Sequence, residues 1–341
     1  MHVAVDGGGT KTIAILFRES GEIVKGIRKE FGSNVMLMKT GEETEFVFKQ
    51  MVLLLDELCD QDEWNAVQSV TFTIPGFHLD NERLQKKLAG KDVGRFDDAP
   101  AAYVGALGDR IGVCVSAGTG GVAAVPMESV AGGFLFIGGW GTCNDDAGGA
   151  YYVGMLALRR LFRDADWDEY CLLSRRILEK LGENSARRLA DKKLYGEEKL
   201  GEKSARSLAY EKLYGEEKLS RRDIAQLAIL VGECAADGCE VSKGIFDDCA
   251  YRLAEYAFVG YKRVIKTGDC PVALVGGLKK AGAVLIEPFK KYLAEFSKRL
   301  VYTEPMFENY IGTVVFALQR LGVSLNQERL GEVKRTENRI K

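Results

Sequence analysis

Asp6 and the glycines that follow it form the segment of the sequence with the clearest chemical character. Asp6 ends a short apolar strand, three glycines follow, and an apolar run resumes after Thr12. Without Cβ atoms, the N–H groups of such a turn can approach a phosphate closely, and a carboxylate at the strand end can hold hydrated Mg²⁺. The candidate phosphate-binding residues of this first turn are Gly7, Gly8, Gly9, Thr10, Lys11 and Thr12. The same pattern is also typical of an ordinary glycine-rich β-hairpin.

A second glycine-rich turn lies between two further apolar runs, at residues 118–121, and repeats this pattern. Its candidate phosphate-binding residues are Gly118, Thr119 and Gly120. A late apolar strand, 271–275, ends in Gly276 and Gly277, where the backbone is open to the adenine or ribose of a nucleotide. Paired glycines at a strand end are equally typical of close packing between a strand and a helix, so this third motif has two interpretations.

A carboxylate suited to proton transfer occurs in Phe96-Asp-Asp-Ala-Pro-Ala-Ala102. Phosphoryl transfer needs phosphates that are held and neutralised, an aligned acceptor hydroxyl and a carboxylate that takes the hydroxyl proton. Asp98 follows a short predicted strand and opens a predicted helix, which is a rigid position for such a base. An aspartate before a helix is also typical of an N-cap, and Asp97 is an adjacent alternative. A base that receives its proton late needs only an ordinary aspartate pKa.

The order of these motifs resembles that of the sugar kinase/Hsp70/actin superfamily, and more closely the N-acetylglucosamine kinase and BadF/BadG/BcrA/BcrD ATPase family. Besides the two turns and the late strand, the resemblance includes Gly138-Gly-Trp-Gly141 and covers most of residues 1–322. It implies an α/β protein with two ribonuclease H-like domains, the actin-like ATPase fold, and a cleft for ATP and sugar between them. It also implies ATP and Mg²⁺ as cofactors, with Asp6 holding the metal through water.

The resemblance assigns further residues to the sugar and to the proton acceptor. Asp98 matches the general base of the family's Asn-Asp-Ala segment, with Asp97 in place of the asparagine. The residues that match sugar-binding segments are Ser33, Asn34, Gly139, Trp140 and Asp146. Trp140 is also compatible with a place in the core, because aromatic residues beside glycines often simply pack.

Two departures from the family pattern bear on the substrate. Ala147 stands where the family has a glutamate, and Gly149 stands where it has a serine, so the pocket loses one charge and one hydrogen-bond donor. We therefore expect an ATP-dependent kinase that phosphorylates a hydroxyl of a sugar. An amino sugar such as N-acetylglucosamine is the leading acceptor by resemblance, and a 2-keto-3-deoxy sugar acid is the next.

Two other functions belong to different classes. In the reductase-activating ATPases of the wider family, a homodimer holds an iron–sulfur cluster through paired cysteine thiolates. Cys114 lies on a predicted strand one place from the activator pattern, and Cys143 has no evident mate in the sequence. A sugar sensor that kept the fold and lost turnover is the third interpretation, supported by the replacement at Ala147.

The composition is typical of a soluble globular protein and excludes several functions. With 341 residues the chain suits two domains, and a net charge of −2 provides no basic field for nucleic acid or anionic membranes. Eight cysteines are expected as reduced thiols, and two histidines exclude a histidine-rich zinc site. No signal peptide or membrane span is recognisable, so we expect a cytoplasmic protein. The expected partner is a small-molecule sugar; a homodimer is left open.

The elements that must position these residues alternate between strands and helices. Strands at 3–6, 12–17, 22–28, 67–74 and 93–96, with helices at 42–58 and 99–107, predict an N-terminal domain of residues 1–110. A second domain is predicted for residues 111–323, with a helical insertion at 165–267 and a closing helix at 309–321. The polar tail 324–341 is predicted to be mobile.

A tandem repeat interrupts the predicted insertion. Residues 183–201 and 202–220 are copies of nineteen residues that share Lys-Leu-Tyr-Gly-Glu-Glu-Lys-Leu. Both copies are charged and favour helix. They are typical of a duplicated surface insertion, which costs little stability, and a helical pair that binds a partner is the alternative.

Overall fold

The computed structural model describes residues 1–9, 11–35, 38, 40–129, 133–141, 146–181 and 218–340. Thr10, Cys143 and nearly all of the tandem repeat therefore lie outside the described residues. The chain divides into two compact units. Unit 1 contains Met1–Cys114, Ala124–Leu135 and Thr303–Lys341, and unit 2 contains Val115–Ala123 and Phe136–Tyr302.

Strands and helices alternate along most of the chain. The strands are β1 (His2–Gly7), β2 (Thr12–Phe17), β3 (Ile23–Lys29), β4 (Ser69–Thr73), β5 (Asp92–Phe96), β6 (Val113–Ala117), β7 (Gly121–Pro126), β8 (Phe134–Gly138), β9 (Cys270–Val275) and β10 (Leu300–Tyr302). The helices are α1 (Gly41–Leu58), α2 (Gln61–Ala66), α3 (Glu82–Leu88), α4 (Asp98–Leu107), α5 (Ala150–Trp167), α6 (Leu172–Leu181), α7 (Arg221–Ala236), α8 (Glu240–Gly260), α9 (Ala283–Phe296), α10 (Asn309–Arg320) and α11 (Gln327–Thr336). None of the described helices has both the length and the apolar character needed to cross a bilayer.

Unit 1 is built on a sheet of order β3-β2-β1-β4-β5. β1 pairs antiparallel with β2, and β2 pairs antiparallel with β3. β1, β4 and β5 are parallel, which brings the carboxyl ends of β1 and β5 to the same edge. The core on one face combines Val5, Leu16 and Phe72 with Met51 and Leu55 of α1. Asp6 is next to the last residue of β1, and Asp98 comes two residues after β5. Both therefore lie at the same edge of this sheet.

Helices α4 and α10 of unit 1 cross at two glycines. A Cβ on Gly105 would lie 2.5 Å from the Gly312 Cα, and a Cβ on Gly312 would lie 2.4 Å from the Ala101 carbonyl oxygen. A side chain at either position would therefore force the backbone of one helix to move. Glycine at both positions is therefore what lets the two helices approach closely.

We expect Gly105→Ala to lower the free energy of unfolding by about 1–3 kcal/mol, because the added methyl overpacks this crossing. Urea unfolding followed by circular dichroism measures the change. Gly331→Ala in α11 is the matched control, since no atom lies within 4 Å of its Cβ position and the change should be neutral or slightly stabilising. Equal free energies for the two variants would contradict the prediction.

The C-terminal segment differs from the expected second-domain helix and mobile tail. α10 contacts β1, β4 and α4, so it belongs to unit 1. Residues 327–336 form α11, whose Val333 is buried, and the Thr336 hydroxyl accepts the Ile23 N–H at 2.9 Å. Gly26 forms an isolated bridge with Ile340. The segment is polar in composition, yet its few buried side chains are enough to hold it along the outer strand β3.

Unit 2 carries most of a second sheet, of order β10-β9-β6-β7-β8. Helix α5 packs along α7, and α8 packs along α9. Gly154 makes the first contact a close one, because a Cβ there would lie 2.0 Å from the Ile224 carbonyl oxygen. This packing brings the first turn of α7 beside the first turn of α5.

Candidate active site

The first turn has one packed glycine and one open glycine. A Cβ on Gly7 would lie 2.0 Å from Ser33 Oγ, whereas no atom of the described residues lies within 4 Å of the Cβ position of Gly8. The Gly8 carbonyl accepts the N–H groups of Ser33 at 2.9 Å and Asn34 at 3.1 Å, and its own N–H donates to the Lys11 carbonyl at 3.1 Å. The turn is thus fixed from one side by the loop 31–34. It leaves the Gly8 backbone accessible on the other side, and the neighbouring Gly9 is exposed.

Thr12 and Ser33 use their hydroxyls to hold that loop. Both residues are fully buried. The Thr12 hydroxyl donates to the Phe31 carbonyl at 2.9 Å and lies 2.9 Å from the Ser33 hydroxyl. The two predicted ligand contacts, Thr12 to phosphate and Ser33 to sugar, are therefore occupied by internal hydrogen bonds. Asn34 is half-buried beside them.

Asp6 lies at the end of β1 with a carboxylate that is costly to ionise. Burial raises the pKa of Asp6, the charge of Asp98 raises it further, and Lys11 and Thr313 lower it; the pKa is about 7. The Thr313 hydroxyl donates to Asp6 Oδ1 at 3.5 Å and lies 2.8 Å from the Thr73 hydroxyl. A hydrated cation beside Asp6 would offset this cost, so the donor set fits Mg²⁺ held by one carboxylate and phosphate oxygens. Among the described residues, no three or more His, Cys, Asp or Glu side chains form a group that could hold a metal ion.

Asp98 is the first residue of α4, and Asp97 occupies the N-cap. The Asp97 side chain makes no capping hydrogen bond, so capping does not explain the pair. Burial raises the pKa of Asp98 and the Asp97 charge raises it further, while the N–H groups of Asp98 and Ala99 lower it; the pKa is about 6. Asp98 nevertheless retains exposed surface. It is a carboxylate that is ionised at neutral pH, easily protonated and accessible.

The second turn is anchored to the first turn of α5. The carbonyls of Gly118 and Thr119 accept the N–H groups of Ala150 and Tyr151, both at 2.9 Å. A Cβ on Gly120 would lie 2.8 Å from the Asp146 carboxylate, so Gly120 is packed. Around the Cβ position of Gly118 the nearest atom is the Gly120 carbonyl oxygen at 3.9 Å. Gly118 is therefore the open position of this turn.

The pair Gly276 and Gly277, after β9, also consists of one packed glycine and one open glycine. Gly276 has φ +98°, and a Cβ there would lie 2.5 Å from the Ala117 carbonyl oxygen, so this residue serves close backbone packing. Gly277 has no atom within 4 Å of its Cβ position. Close backbone packing therefore explains Gly276, while Gly277 remains open.

Asp146 lies in an ion pair that the sequence analysis missed. It is buried, its Oδ1 accepts the Gly141 N–H at 3.1 Å, and its Oδ2 lies 2.7 Å from Arg221 Nη2. The Arg221 Nε is buried and has no hydrogen-bond partner among the described residues. Arg221 follows Asp146 by 75 residues, so no local spacing links them. The one signal in the sequence is the start of a helix at Ser220, where a capping box forms with Asp223.

Trp140 lies between glycines with left-handed backbone and does not belong to the core. Gly138, Gly139 and Gly141 have φ values of +75°, +72° and +90°. The Trp140 side chain is 72% exposed. The conformation of the three glycines presents the indole at the surface of unit 2, on the segment that leads toward Asp146.

Cys114, the candidate cluster ligand, is buried in β6. Burial raises the pKa of its thiol to about 12. Without a bound metal, the Cys114 thiol is therefore protonated at neutral pH.

Comparisons with known proteins agree with this architecture. A structure from Porphyromonas gingivalis described as a candidate N-acetylglucosamine kinase superposes with a TM-score of 0.69 at 15% identity, over 94% of this chain and 100% of that chain. A second candidate N-acetylglucosamine kinase, from Chromobacterium violaceum, gives 0.64 at 20% identity, over 93% and 98%. A ROK family glucokinase from Streptomyces griseus, in complex with glucose and AMPPNP, gives 0.55 at 16% identity, over 94% and 99%. No curated protein matches the sequence at a significant level.

These likenesses confirm the predicted fold class, α/β with two ribonuclease H-like sheets of the actin-like ATPase type. The family model for the BadF/BadG/BcrA/BcrD ATPases matches residues 3–317, which is nearly the whole chain. The family that the motif order predicts is thus confirmed, and the chain belongs to the BadF/BadG/BcrA/BcrD ATPase family.

Proposed function

We propose that this protein is an ATP-dependent carbohydrate kinase that transfers the γ-phosphoryl group to a hydroxyl of an amino sugar resembling N-acetylglucosamine. The observation that carries the proposal is the accessible carboxylate of Asp98 at the start of α4, on the same sheet edge as Asp6. Family membership implies ATP use, and the fold is shared with structures described as candidate N-acetylglucosamine kinases.

In the proposed reaction Asp98 orients the acceptor hydroxyl and receives its proton. The hydroxyl oxygen bonds to the γ-phosphorus as the bond from that phosphorus to the β-bridging oxygen breaks, so ADP leaves. Because the proton transfers late, a base with a pKa of about 6 is adequate at neutral pH. Mg²⁺ bound with ATP would neutralise phosphate charge, and Asp6 would hold one of its water ligands.

The open glycines are the proposed nucleotide-binding positions. Gly8 in unit 1, and Gly118 and Gly277 in unit 2, leave their backbones accessible. Their packed neighbours Gly7 and Gly276 are instead needed to build the turns. We propose that Lys11 adds positive charge for a phosphate next to Gly8. Thr10 remains part of the proposal, although it lies outside the described residues.

Gly8→Ala is expected to raise the KM for ATP roughly tenfold, which corresponds to about 1.4 kcal/mol, because a methyl would intrude where phosphate approaches the backbone. The free energy of unfolding should stay unchanged, since no atom of the described residues lies within 4 Å of the added methyl. Gly41→Ala, equally open but at the start of α1, is the control and should leave the KM unchanged. In Gly7→Ala the methyl would displace Ser33, so this variant should lose stability. An unaltered KM in Gly8→Ala would remove the first turn from the nucleotide site.

A second candidate, a kinase for a 2-keto-3-deoxy sugar acid, is favoured by one observation. Arg221 brings a guanidinium to Asp146, the residue proposed to bind a sugar hydroxyl, and its buried Nε has no hydrogen-bond partner in the described part of the chain. A guanidinium is well suited to a carboxylate. The proposed sugar-binding residues common to both candidates are Asn34, Gly139, Trp140 and Asp146.

The deciding experiment follows ADP release with Mg-ATP and a panel of amino sugars, neutral hexoses and keto-deoxy sugar acids. Amino-sugar-dependent release with a phosphorylated sugar as product supports the proposal. Release only with the sugar acids supports the second candidate. Sugar binding without ADP release would indicate a sensor, and stoichiometric iron in anaerobically purified protein would indicate an activator; either result overturns the kinase.

A further inference from the structure

The junction between α7 and α8 in unit 2 is a tight helix end flanked by two cysteines. The Gly238 N–H donates to the Ala235 carbonyl at 3.1 Å, and the Cys239 N–H donates to the Cys234 carbonyl at 2.9 Å. Gly238 has φ +86°. These are the two hydrogen bonds and the left-handed glycine of a Schellman motif, which places the third-last helical residue in contact with the second residue beyond the cap. Here those two residues are Cys234 and Cys239.

The backbone geometry is compatible with a covalent bridge. With the Cys239 N–H bonded to the Cys234 carbonyl at 2.9 Å, standard bond lengths keep the two Cα atoms within about 7 Å. Disulfides usually join Cα atoms about 4.4–6.8 Å apart. Cys234 is fully buried and Cys239 is nearly so. The pair therefore meets the distance requirement without a change in the fold.

Cys239 has the surroundings of a reactive thiol. It is the N-cap of the 21-residue helix α8, and the Ser242 hydroxyl beside it is fully buried. Burial raises the pKa of Cys239, but the Ser242 hydroxyl and the N–H groups of Ser242, Leu173 and Val241 outweigh it, so the pKa lies below the usual value.

Cys234 has the complementary character. Burial raises the pKa of its thiol, although Arg176 Nη1, 3.7 Å from its sulfur, lowers it in part. The same guanidinium bonds Asp237 through Nη2 at 2.6 Å, which holds it at the junction. Redox-sensitive pairs usually place an accessible thiol of low pKa beside a second, resolving thiol. Cys239 has the lower pKa and is the less buried of the two.

We propose that Cys234 and Cys239 form a reversible dithiol–disulfide pair that hydrogen peroxide oxidises. The Cys239 thiolate attacks one peroxide oxygen, the O–O bond breaks, and hydroxide leaves to give a sulfenic acid. The Cys234 sulfur then bonds to the Cys239 sulfur, the S–O bond breaks, and the departing hydroxide takes the Cys234 proton as water. Two thiols are oxidised, one peroxide is reduced to two waters, and a dithiol reductant reverses the change.

The sequence makes the test unusually direct, because trypsin releases both cysteines on one peptide, residues 223–243, which contains no other cysteine. The full chain is reduced, desalted, exposed to hydrogen peroxide, alkylated with N-ethylmaleimide and digested. We expect this peptide to lose two hydrogens and take no label, and to take two labels after dithiothreitol. A peptide that takes two labels after peroxide, or that gains oxygen at Cys239 while Cys234 is labelled, overturns the proposal.

Two variants test the order of the steps. In Cys234→Ser the sulfenic acid at Cys239 has no partner, so dimedone should label Cys239. In Cys239→Ser the remaining thiol at Cys234 should not take dimedone. Cys171→Ser, at a half-buried thiol just before α6, is the control and should keep the bridge. Dimedone labelling confined to Cys234 would contradict the assignment, and the wild-type mapping stands even where a variant fails to fold.

Discussion

Asp98→Asn is expected to lower kcat by about 10²- to 10⁴-fold, the usual contribution of a positioned general base. The amide keeps the shape of the side chain but cannot accept the hydroxyl proton. Stability should not fall, because burial and the Asp97 charge already disfavour the ionised form. Loss of activity with an unchanged or higher melting temperature would therefore separate a catalytic role from a structural one. Coupled-enzyme kinetics on the preferred sugar measures the first quantity, and differential scanning calorimetry the second.

Asp97→Asn is the matched control for this variant. Asp97 is adjacent and exposed, and its side chain makes no capping bond, so its loss should change kcat little. Removing its charge should lower the pKa of Asp98, since that charge helps to raise it. If Asp97→Asn were the inactive variant, the base would be Asp97.

The same assignment fixes the sign of a pH dependence. A base with a pKa of about 6 is protonated below that value, so kcat/KM should fall about tenfold per pH unit below pH 6. Asp6, with a pKa of about 7, can add a second step. Higher Mg²⁺ should shift the Asp6 step to lower pH more than the Asp98 step, because a cation held at Asp6 favours its ionised form. The Asp98 step should shift to lower pH in Asp97→Asn, and an unshifted step would assign it elsewhere.

Arg221→Gln is expected to lower kcat/KM for the preferred sugar about 10- to 100-fold, in line with the loss of a hydrogen bond to a charged group. Without Arg221 the Asp146 carboxylate loses the bond at 2.7 Å and keeps the bond from the Gly141 N–H. The aspartate would then no longer be held in one orientation. Asp146→Asn should reduce kcat/KM at least as much, since it removes the proposed acceptor for the sugar hydroxyl.

The comparison of substrates makes this pair of variants decisive. For an amino sugar, both variants should lose activity together. For a sugar acid that Arg221 contacts directly, Arg221→Gln should reduce kcat/KM for the acid far more than for a neutral sugar. Arg222→Gln, exposed and one residue further along α7, is the control. Full activity in Arg221→Gln with every sugar would exclude the ion pair from the proposed site.

Local patterns in the sequence were sufficient to predict where the first turn and Asp98 lie in the fold. Alternation of apolar residues predicts β1 and β2, and the short strand before Asp98 predicts the start of α4, because these elements depend on neighbouring residues. Thr313 and Arg221 lie far along the chain from Asp6 and Asp146, so only the packing of α10 and α7 brings them there. The buried roles of Thr12 and Ser33 are likewise set by the loop 31–34 folding over the first turn. The division into packed and open glycines depends on tertiary contacts that no glycine motif specifies.

The C-terminal helix α11 also helps to prevent aggregation of the protein through its exposed sheet edge. β3 is the outer strand of its sheet, and an outer strand with bare amide and carbonyl groups is a template for intermolecular strand pairing. The bridge from Gly26 to Ile340 and the Thr336 hydroxyl on the Ile23 N–H occupy part of that row. Removing α11 and the residues after it would therefore expose the edge of β3 to strand pairing between molecules. We expect such a truncation to lower the solubility of the protein before it lowers the turnover rate.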